Sequence, residues 1–246
     1  MEILCVHSAR WWQAQKVLIG REGRPLVIID NFHPLPTVCV DDADRRSFRP
    51  VARHYPGIRA PVPKPYFAPV RRGLSDILIH HFDYRGGVSV QECFYSLLTT
   101  PPAQLNYIQR LPHVDGGDDR KVAILHYLCY EHHGGTAFFR QRRTGFETVP
   151  NDRFAAYKQG VEADHDSLGA PTPQYYTRND RRFDRIRTVK ARYNRAILYF
   201  GSNLHTILPG TEDSFSDDPR IGRLTVNTFV HPAHAGQKPP GAASRD

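Results

Sequence analysis

The sequence predicts a mainly β (α+β) fold, a double-stranded β-helix (jelly roll, cupin-like) with amino-terminal helices packed on the sheet. From residue 92 onward, short β-rich runs alternate with turns, a pattern typical of sandwiches and jelly rolls. The chain has 246 residues, 40% of them hydrophobic, and is long enough to bury one large core. We therefore expect a single domain over 1–230, with its core at 92–230 and a supporting segment at 1–91.

The supporting segment is predicted to contain one strand, one loop and two helices. Arg24–Asp30 is a run of apolar β-forming residues and predicts a strand, which the breakers of 31–36 end in a turn. A short helix is predicted over 40–48. The five prolines of 55–69 predict an extended loop. Apolar residues recur at helical spacing over 74–82, which predicts an amphipathic helix on the sheet.

The core segment is predicted to consist of short strands with one helical interruption. The predicted strands cover 92–99, 105–110, 122–129, 136–141, 186–189, 196–200 and 224–230. A helix is predicted within 151–169, and 171–180 is predicted to be a loop that carries Tyr175 and Tyr176. The tail 231–246 is rich in Pro, Gly and Ala and is predicted to be disordered.

Composition narrows the class of protein. The formal charge is +8, but acidic residues are interleaved with basic ones, which disfavours a nucleic-acid partner. No uncharged apolar run is long enough to span a bilayer and no secretory signal is visible, so we expect a cytoplasmic protein without a membrane partner. Cys5, Cys39, Cys93 and Cys129 form no CxxC pair, which predicts reduced thiols.

Two histidines and one aspartate form a candidate metal site. His113 and Asp115 follow the predicted strand 105–110, and His205 follows the predicted strand 196–200, so the three side chains can converge. Two imidazoles and one carboxylate on one face of a metal leave its other coordination positions open. Such a site suits iron(II), which can then bind an organic acid and dioxygen at the open positions. A catalytic zinc site usually keeps only one open position. Because the chain has 13 histidines, a short HxD pattern can occur by chance, and it does not by itself establish a metal site.

The surroundings of this motif add a family resemblance. Residues 113–139 read HVDGGDDRKVAILHYLCYEHHGGTAFF and resemble the prolyl-hydroxylase-like branch of the Fe(II)/2-oxoglutarate-dependent oxygenases. That branch follows HxD with a polar turn, a strand ending in Tyr-Leu and a Gly-Gly-x-Thr-like turn, as at 119–120, 127–128 and 134–136. The resemblance covers 105–230. The segments VIIDNF and YPGIRAP further resemble an uncharacterised bacterial subgroup.

The resemblance implies a set of cofactor ligands. His113, Asp115 and His205 would be the catalytic and metal residues, holding Fe(II) for reaction with 2-oxoglutarate and O2. Arg223 would bind the distal carboxylate of 2-oxoglutarate through its guanidinium fork, and Tyr127 would donate a hydrogen bond to it.

A second arginine is a candidate for binding the distal carboxylate of 2-oxoglutarate. The segment between the distal histidine and Arg223 is longer than is usual in the family, so Arg220 competes for the same role. Arg223 is preferred because it opens an apolar strand, whereas Arg220 lies in a turn. Strand alternation predicts that His126 faces away from Tyr127 and from the site.

The implied activity is hydroxylation of a small molecule, amino acid or peptide side chain, with release of succinate and CO2. Tyr107, Arg110, Tyr175 and Tyr176 are candidates for a substrate pocket and equally for ordinary surface or core. The alternative is a catalytically silent metal- and 2-oxoglutarate-binding or sensory protein of the same fold. A nucleic-acid oxygenase attracted by the basic charge is a third option.

Overall fold

A computed structural model describes residues 1–51, 54–85 and 87–233, which form two antiparallel sheets and three α-helices. The strands are β1 (Glu2–Leu4), β2 (Gln13–Ile19), β3 (Arg24–Asp30), β4 (Gly57–Pro61), β5 (Val88–Leu98), β6 (Val122–Tyr127), β7 (Gly135–Gln141), β8 (Phe183–Lys190), β9 (Arg195–Phe200), β10 (His205–Leu208) and β11 (Leu224–Pro232). The helices are α1 (Pro36–Asp44), α2 (Arg71–Phe82) and α3 (Phe154–Leu168). The mainly β prediction is confirmed.

In the larger sheet, strands from the first part of the chain flank three later strands on both sides. Its eight strands have the order β1-β2-β3-β9-β6-β11-β5-β4, and the smaller sheet has the order β10-β7-β8. The early strand β3 pairs with β9, and β5 pairs with both β4 and β11. The amino-terminal segment, predicted to pack helices on the sheet, also contributes strands to the main sheet.

The two faces of the large sheet have different partners. On one face, Leu74, Ile77 and Phe82 of α2 are buried in a cluster that includes strand residues of β6 and β9. On the other face, Tyr199 of β9 meets Phe138 of the small sheet, with ring centroids 5.1 Å apart. Helices therefore cover one face and the small sheet covers the other, which confirms the predicted amphipathic helix on the sheet.

Most predicted elements are present with shifted ends. The strand at Arg24–Asp30 is confirmed residue for residue, and β5, β6, β7, β8, β9 and β11 each overlap their predicted runs. The predicted helix within 151–169 is α3, and 171–180 contains neither helix nor strand. The four cysteines are unpaired, as predicted. Within the described ranges, no helix has the length and apolar character needed to cross a membrane.

Two predictions of local structure were wrong. The segment 105–110 is not a strand: Ile108–Arg110 forms a single 3-10 turn. Here Asn106 and Gln109 exchange side-chain to backbone hydrogen bonds of 3.0 and 3.1 Å, which satisfy the local backbone without a neighbouring strand. The predicted loop 55–69 contains the edge strand β4, which tolerates Pro61 because the proline stands at its end.

The remaining differences lie near the amino terminus and in the tail. The helix predicted over 40–48 begins earlier, at Pro36, a residue that suits the first turn of a helix. Strands β1, β2 and β10 were not predicted. The tail predicted to start at 231 begins later, because His231 and Pro232 belong to β11, and 234–246 lie outside the described residues.

Candidate metal centre and its cavities

The two candidate histidines are held together by their backbones. His113 and His205 form a one-residue antiparallel bridge, in which each amide donates to the other carbonyl at 2.9 Å. Their ring centroids lie 4.5 Å apart. Asp115 follows two residues after His113, and its amide donates to the Gly201 carbonyl at 2.8 Å, at the end of β9. Backbone pairing therefore brings together side chains that are 92 residues apart in sequence.

The side chains of this triad present ligand atoms to one point. One ligand atom from each of His113, Asp115 and His205 lies within 4.8 Å of the others, and no other such group occurs in residues 1–51, 54–85 and 87–233. His205 Nε2 and Asp115 Oδ2 are 3.5 Å apart. His205 Nδ1 lies 2.9 Å from the Asn203 carbonyl, to which it donates, so Nε2 keeps its lone pair for a metal.

The protonation properties of the triad fit a metal site. Desolvation by surrounding atoms, helped by the neighbouring His205, lowers the pKa of His113 to about 4, although one edge of the ring stays open to the cavities. Burial lowers the pKa of His205 to about 4. Both imidazoles are thus neutral at pH 7, as metal ligation requires. Burial also raises the pKa of Asp115. Its Oδ2 is buried without a hydrogen-bond partner in the described part of the chain, and a bound cation would satisfy it.

A cavity of about 220 Å³ extends from the triad to Arg223. Arg223 directly precedes β11 and is 1% exposed. Its Nη2 donates to the Gly135 carbonyl at 2.9 Å, while its Nε is buried with no hydrogen-bond partner in the part of the chain that the structure describes. No carboxylate among the described residues lies within ion-pair distance of this guanidinium. A buried arginine of this kind requires an anion to offset its desolvation.

Two further residues of this cavity were missed in the sequence. Arg59 of β4 lines it, with its guanidinium carbon 4.3 Å from the ring centroid of Tyr55. The Arg59 Nε and the Tyr55 hydroxyl are both buried without a hydrogen-bond partner in the described residues. Burial raises the pKa of Tyr55, and the charges of Arg223 and Arg59 oppose that rise. The segment YPGIRAP carries both residues, but only its long-range pairing with β5 reveals their position.

Of the residues predicted to bind 2-oxoglutarate, Arg223 lines the cavity, whereas Tyr127 and Arg220 do not. Tyr127 does not line the cavity: its hydroxyl shares a 2.7 Å hydrogen bond with Thr136 Oγ1, and its ring lies 5.6 Å from the guanidinium carbon of Arg223. Thr136 stands between Tyr127 and the cavity and lines it instead. The rival Arg220 is half exposed and pairs with Asp41 and Asp44 at 2.8 and 3.0 Å, outside the cavity.

Alternation along β6 sets the direction of these side chains. Tyr127 faces the small sheet, whereas His126 faces the helices, where it contacts the Tyr66 hydroxyl at 2.8 Å and Asn194 Oδ1 at 3.0 Å. The predicted opposition of His126 and Tyr127 is confirmed.

A second cavity, of about 350 Å³, adjoins the first at His113. The substrate candidates Tyr107 and Tyr175 line it. Arg110 does not, because its guanidinium donates to the Leu105 carbonyl at 2.9 and 2.7 Å. Tyr176 also does not: its ring packs against Phe139 and Phe183, and its hydroxyl donates to Asp180.

Comparisons with known proteins add the following similarities. The sequence profile described as "Family of unknown function (DUF6445)" matches residues 11–230. HygX from Streptomyces hygroscopicus, crystallised with nickel, 2-oxoglutarate and hygromycin B, is 13% identical with a TM-score of 0.46, over 85% of this chain and 83% of HygX. An N-substituted L-amino acid dioxygenase from Burkholderia ambifaria AMMD is 13% identical with a TM-score of 0.40, over 89% and 93%. No curated protein sequence matches.

Proposed function

We propose that the chain, which belongs to DUF6445, a family of unknown function, is an Fe(II)/2-oxoglutarate-dependent oxygenase. It would hydroxylate a small molecule, amino acid or peptide side chain with release of succinate and CO2. One observation carries the proposal: two histidines, one carboxylate and a buried arginine line the same cavity, and the arginine has no acidic partner among the described residues. The first group suits a divalent metal and the second suits a carboxylate.

In this proposal His113, Asp115 and His205 hold the iron. Three protein ligands leave positions open for an organic acid and dioxygen, whereas a structural zinc site would be closed by a fourth ligand. When bound, iron with 2-oxoglutarate supplies the activation of dioxygen that is coupled to decarboxylation. The protein contributes ligand orientation: the Asn203 carbonyl fixes the tautomer of His205, so that Nε2 points to the metal.

Arg223 would bind the distal carboxylate of 2-oxoglutarate. Among the described residues, the cavity is lined by two guanidinium groups, those of Arg223 and Arg59, and by only one carboxylate, that of Asp115. This surplus of positive charge suits a dianion. The volume of about 220 Å³ lies below the range typical of drug-sized ligands, which suits a small acid.

Neighbouring hydroxyl groups complete this carboxylate site. Thr136 lines the cavity and would donate to the same anion, and the unpartnered hydroxyl of Tyr55 offers a further donor. Tyr127 would act indirectly, by holding Thr136 through their 2.7 Å hydrogen bond.

The proposal extends to the fold family and the domain. The motifs between 105 and 230 are the basis for placing the chain in the prolyl-hydroxylase-like branch. The facing eight- and three-stranded antiparallel sheets support a double-stranded β-helix. Later strands pair between early strands within one sheet, which supports a single domain over 1–230.

Anaerobic titration of the Fe(II)-loaded protein with 2-oxoglutarate tests the function. Chelation of the keto acid by iron gives a weak visible charge-transfer band, which we expect in the wild type and not in His113→Ala. Arg223→Met should raise the Kd for 2-oxoglutarate by roughly tenfold or more, because a charge-assisted contact is lost. Arg220→Met removes the same charge outside the cavity and serves as the matched control.

The outcomes separate the alternatives. No band in wild-type protein that holds one equivalent of iron would contradict the proposal. A normal band without succinate formation from any substrate would instead support the catalytically silent binding protein. An effect of Arg220→Met equal to that of Arg223→Met would overturn the choice between the two arginines.

A further inference from the structure

We infer that the second cavity, beside His113, binds the substrate through an apolar group, either an aryl ring or a branched alkyl chain. The role as substrate rests on the proposed function, whereas the affinity of the cavity for apolar groups does not. The inference narrows the substrate classes left open by the sequence, because it disfavours sugars and zwitterionic amino acids as the group that enters this cavity.

The walls of the cavity are mostly hydrocarbon. Aliphatic and aromatic side chains approach it from the 3-10 turn before the triad, from α3 and from β10. They include Ile108, Leu111, Phe154, Val161 and Ile207. Transfer of apolar surface from water to such walls is favourable by roughly 25 cal/mol per Å².

Two of the tyrosines that line this cavity, Tyr157 and Tyr175, contribute ring faces more than hydroxyl donors. The Tyr157 hydroxyl donates to the Pro112 carbonyl at 3.0 Å, and the Tyr175 hydroxyl donates to the Thr100 carbonyl at 2.7 Å. Because these O–H donors already have backbone acceptors, they are not available as donors to a ligand. Aromatic rings prefer stacked or edge-to-face contacts, so the rings of Tyr157 and Tyr175 suit an aryl ligand.

Charge is scarce in the same cavity. Lys158 is the only permanently charged residue among the described residues that line it. Its ammonium is exposed and lies 3.5 Å from Glu162, an interaction that already offsets part of its charge. A sugar or a zwitterion would leave several polar groups desolvated without partners, at a cost of a few kcal/mol each by general transfer values. An apolar group incurs no such cost.

The position of the cavity connects it to the proposed chemistry. It shares His113, Val114, Thr206 and Ile207 with the first cavity, so a ligand that fills it lies against the proposed metal ligand His113. Its volume of about 350 Å³ falls in the range of small-molecule sites. A C–H bond at the inner end of an apolar ligand would therefore lie beside His113, one of the residues that would hold the metal.

Ligand binding to the metal-free protein tests the cavity independently of the reaction. The probe is 4-fluorobenzyl alcohol, followed by ¹⁹F NMR line broadening, with cyclohexylmethanol and glucose as competitors. We expect saturable probe binding that cyclohexylmethanol displaces and glucose at equal concentration does not. Displacement by glucose as strong as that by cyclohexylmethanol would overturn the inference.

Substitutions at the start of α3 locate the binding. Phe154 lines the cavity and is 50% exposed, so Phe154→Asp adds a charge at the cavity with little loss of core. An acid in the first turn of a helix is favourable, so the fold should be retained. We expect probe affinity to fall on the order of tenfold, and Phe154→Leu to retain it within about threefold. Ala155→Asp makes the same charge change beside the cavity and should leave affinity unchanged.

The results distinguish rejection of the apolar substrate class from rejection of the proposed oxygenase function. Probe binding that is unaffected by Phe154→Asp, or equally weakened by Ala155→Asp, would place the probe elsewhere and overturn the inference. A normal 2-oxoglutarate band without probe binding would leave the proposed function intact and reject the apolar substrate class. Probe binding without the band would reject the function while retaining the apolar cavity.

Discussion

At the scale of residues, Arg59 adds a second positive charge to the proposed cosubstrate cavity. Its Nε is buried without a partner in the described residues, and its guanidinium lies over the ring of Tyr55. A positive group beside a metal site does not favour the cation, but it does favour an anion bound to that cation. The charge of Arg59 at this cavity therefore favours an acid as its ligand.

We predict that Arg59→Met weakens 2-oxoglutarate binding by roughly tenfold, because a poorly solvated positive charge facing the anion is lost. Arg49 provides a matched control, since its backbone bridges that of Arg59 while its side chain is exposed and outside the cavity. Arg49→Met should change the Kd by less than about twofold. Calorimetric titration of both variants measures the difference, and equal Kd values would contradict the assignment of Arg59.

The sequence predicted part of this site and not the rest, for a physical reason. His113, Asp115, His205 and Arg223 stand in a recognisable order along the chain, and the structure brings them to one cavity. Arg59 reaches the cavity only because β4 pairs with β5, where Arg59 lies opposite Ser96, 37 residues later. Local patterns do not contain such a pairing.

At the scale of elements, α2 illustrates what periodicity can predict. Its apolar residues recur on one face, and that face is buried against the side of the large sheet that is opposite the small sheet. The run 105–110 illustrates the limit, because its apolar residues resemble a strand while the side chains of Asn106 and Gln109 close a turn. Side-chain to backbone bonds compete with strand pairing there.

The position of α2 predicts that core stability and ligand binding are separable. Ile77 is 2% exposed, so Ile77→Ala should lower the free energy of unfolding by about 2–5 kcal/mol. Ile79, on the same helix, is 50% exposed, and Ile79→Ala should lower it by less than about 1 kcal/mol. Urea denaturation measures both values. The 2-oxoglutarate Kd of the folded variants should match the wild type, and a large change in Ile77→Ala would show coupling between the two faces.

At the scale of the whole molecule, buried neutral histidines link stability to pH. His126 is fully buried between the sheet and the helices. It accepts a hydrogen bond from the Tyr66 hydroxyl at 2.8 Å and donates one to Asn194 Oδ1 at 3.0 Å, so both ring nitrogens are used in the neutral form. Burial lowers the pKa of His126 to about 3, and burial also lowers the pKa of His33, which stacks nearby.

The direction of the pH dependence follows from these pKa values. An unfolded chain protonates histidine below about pH 6.5, whereas the folded protein keeps His126 neutral down to about pH 3. Between these values the unfolded state binds more protons, so the free energy of unfolding falls as the pH falls. One such group contributes a slope of at most about 1.4 kcal/mol per pH unit.

We therefore predict that metal-free protein loses stability from pH 6.5 to 5, and that His126→Gln reduces this slope by up to about 1.4 kcal/mol per pH unit. Glutamine retains a polar group for Tyr66 but does not titrate. Urea denaturation at half-unit steps from pH 8 to 5 measures the slopes. Above pH 7 the difference in unfolding free energy between variant and wild type should be constant, because His126 is neutral in both states there. An identical slope in the two proteins below pH 6.5 would show that groups other than His126 cause the acid sensitivity.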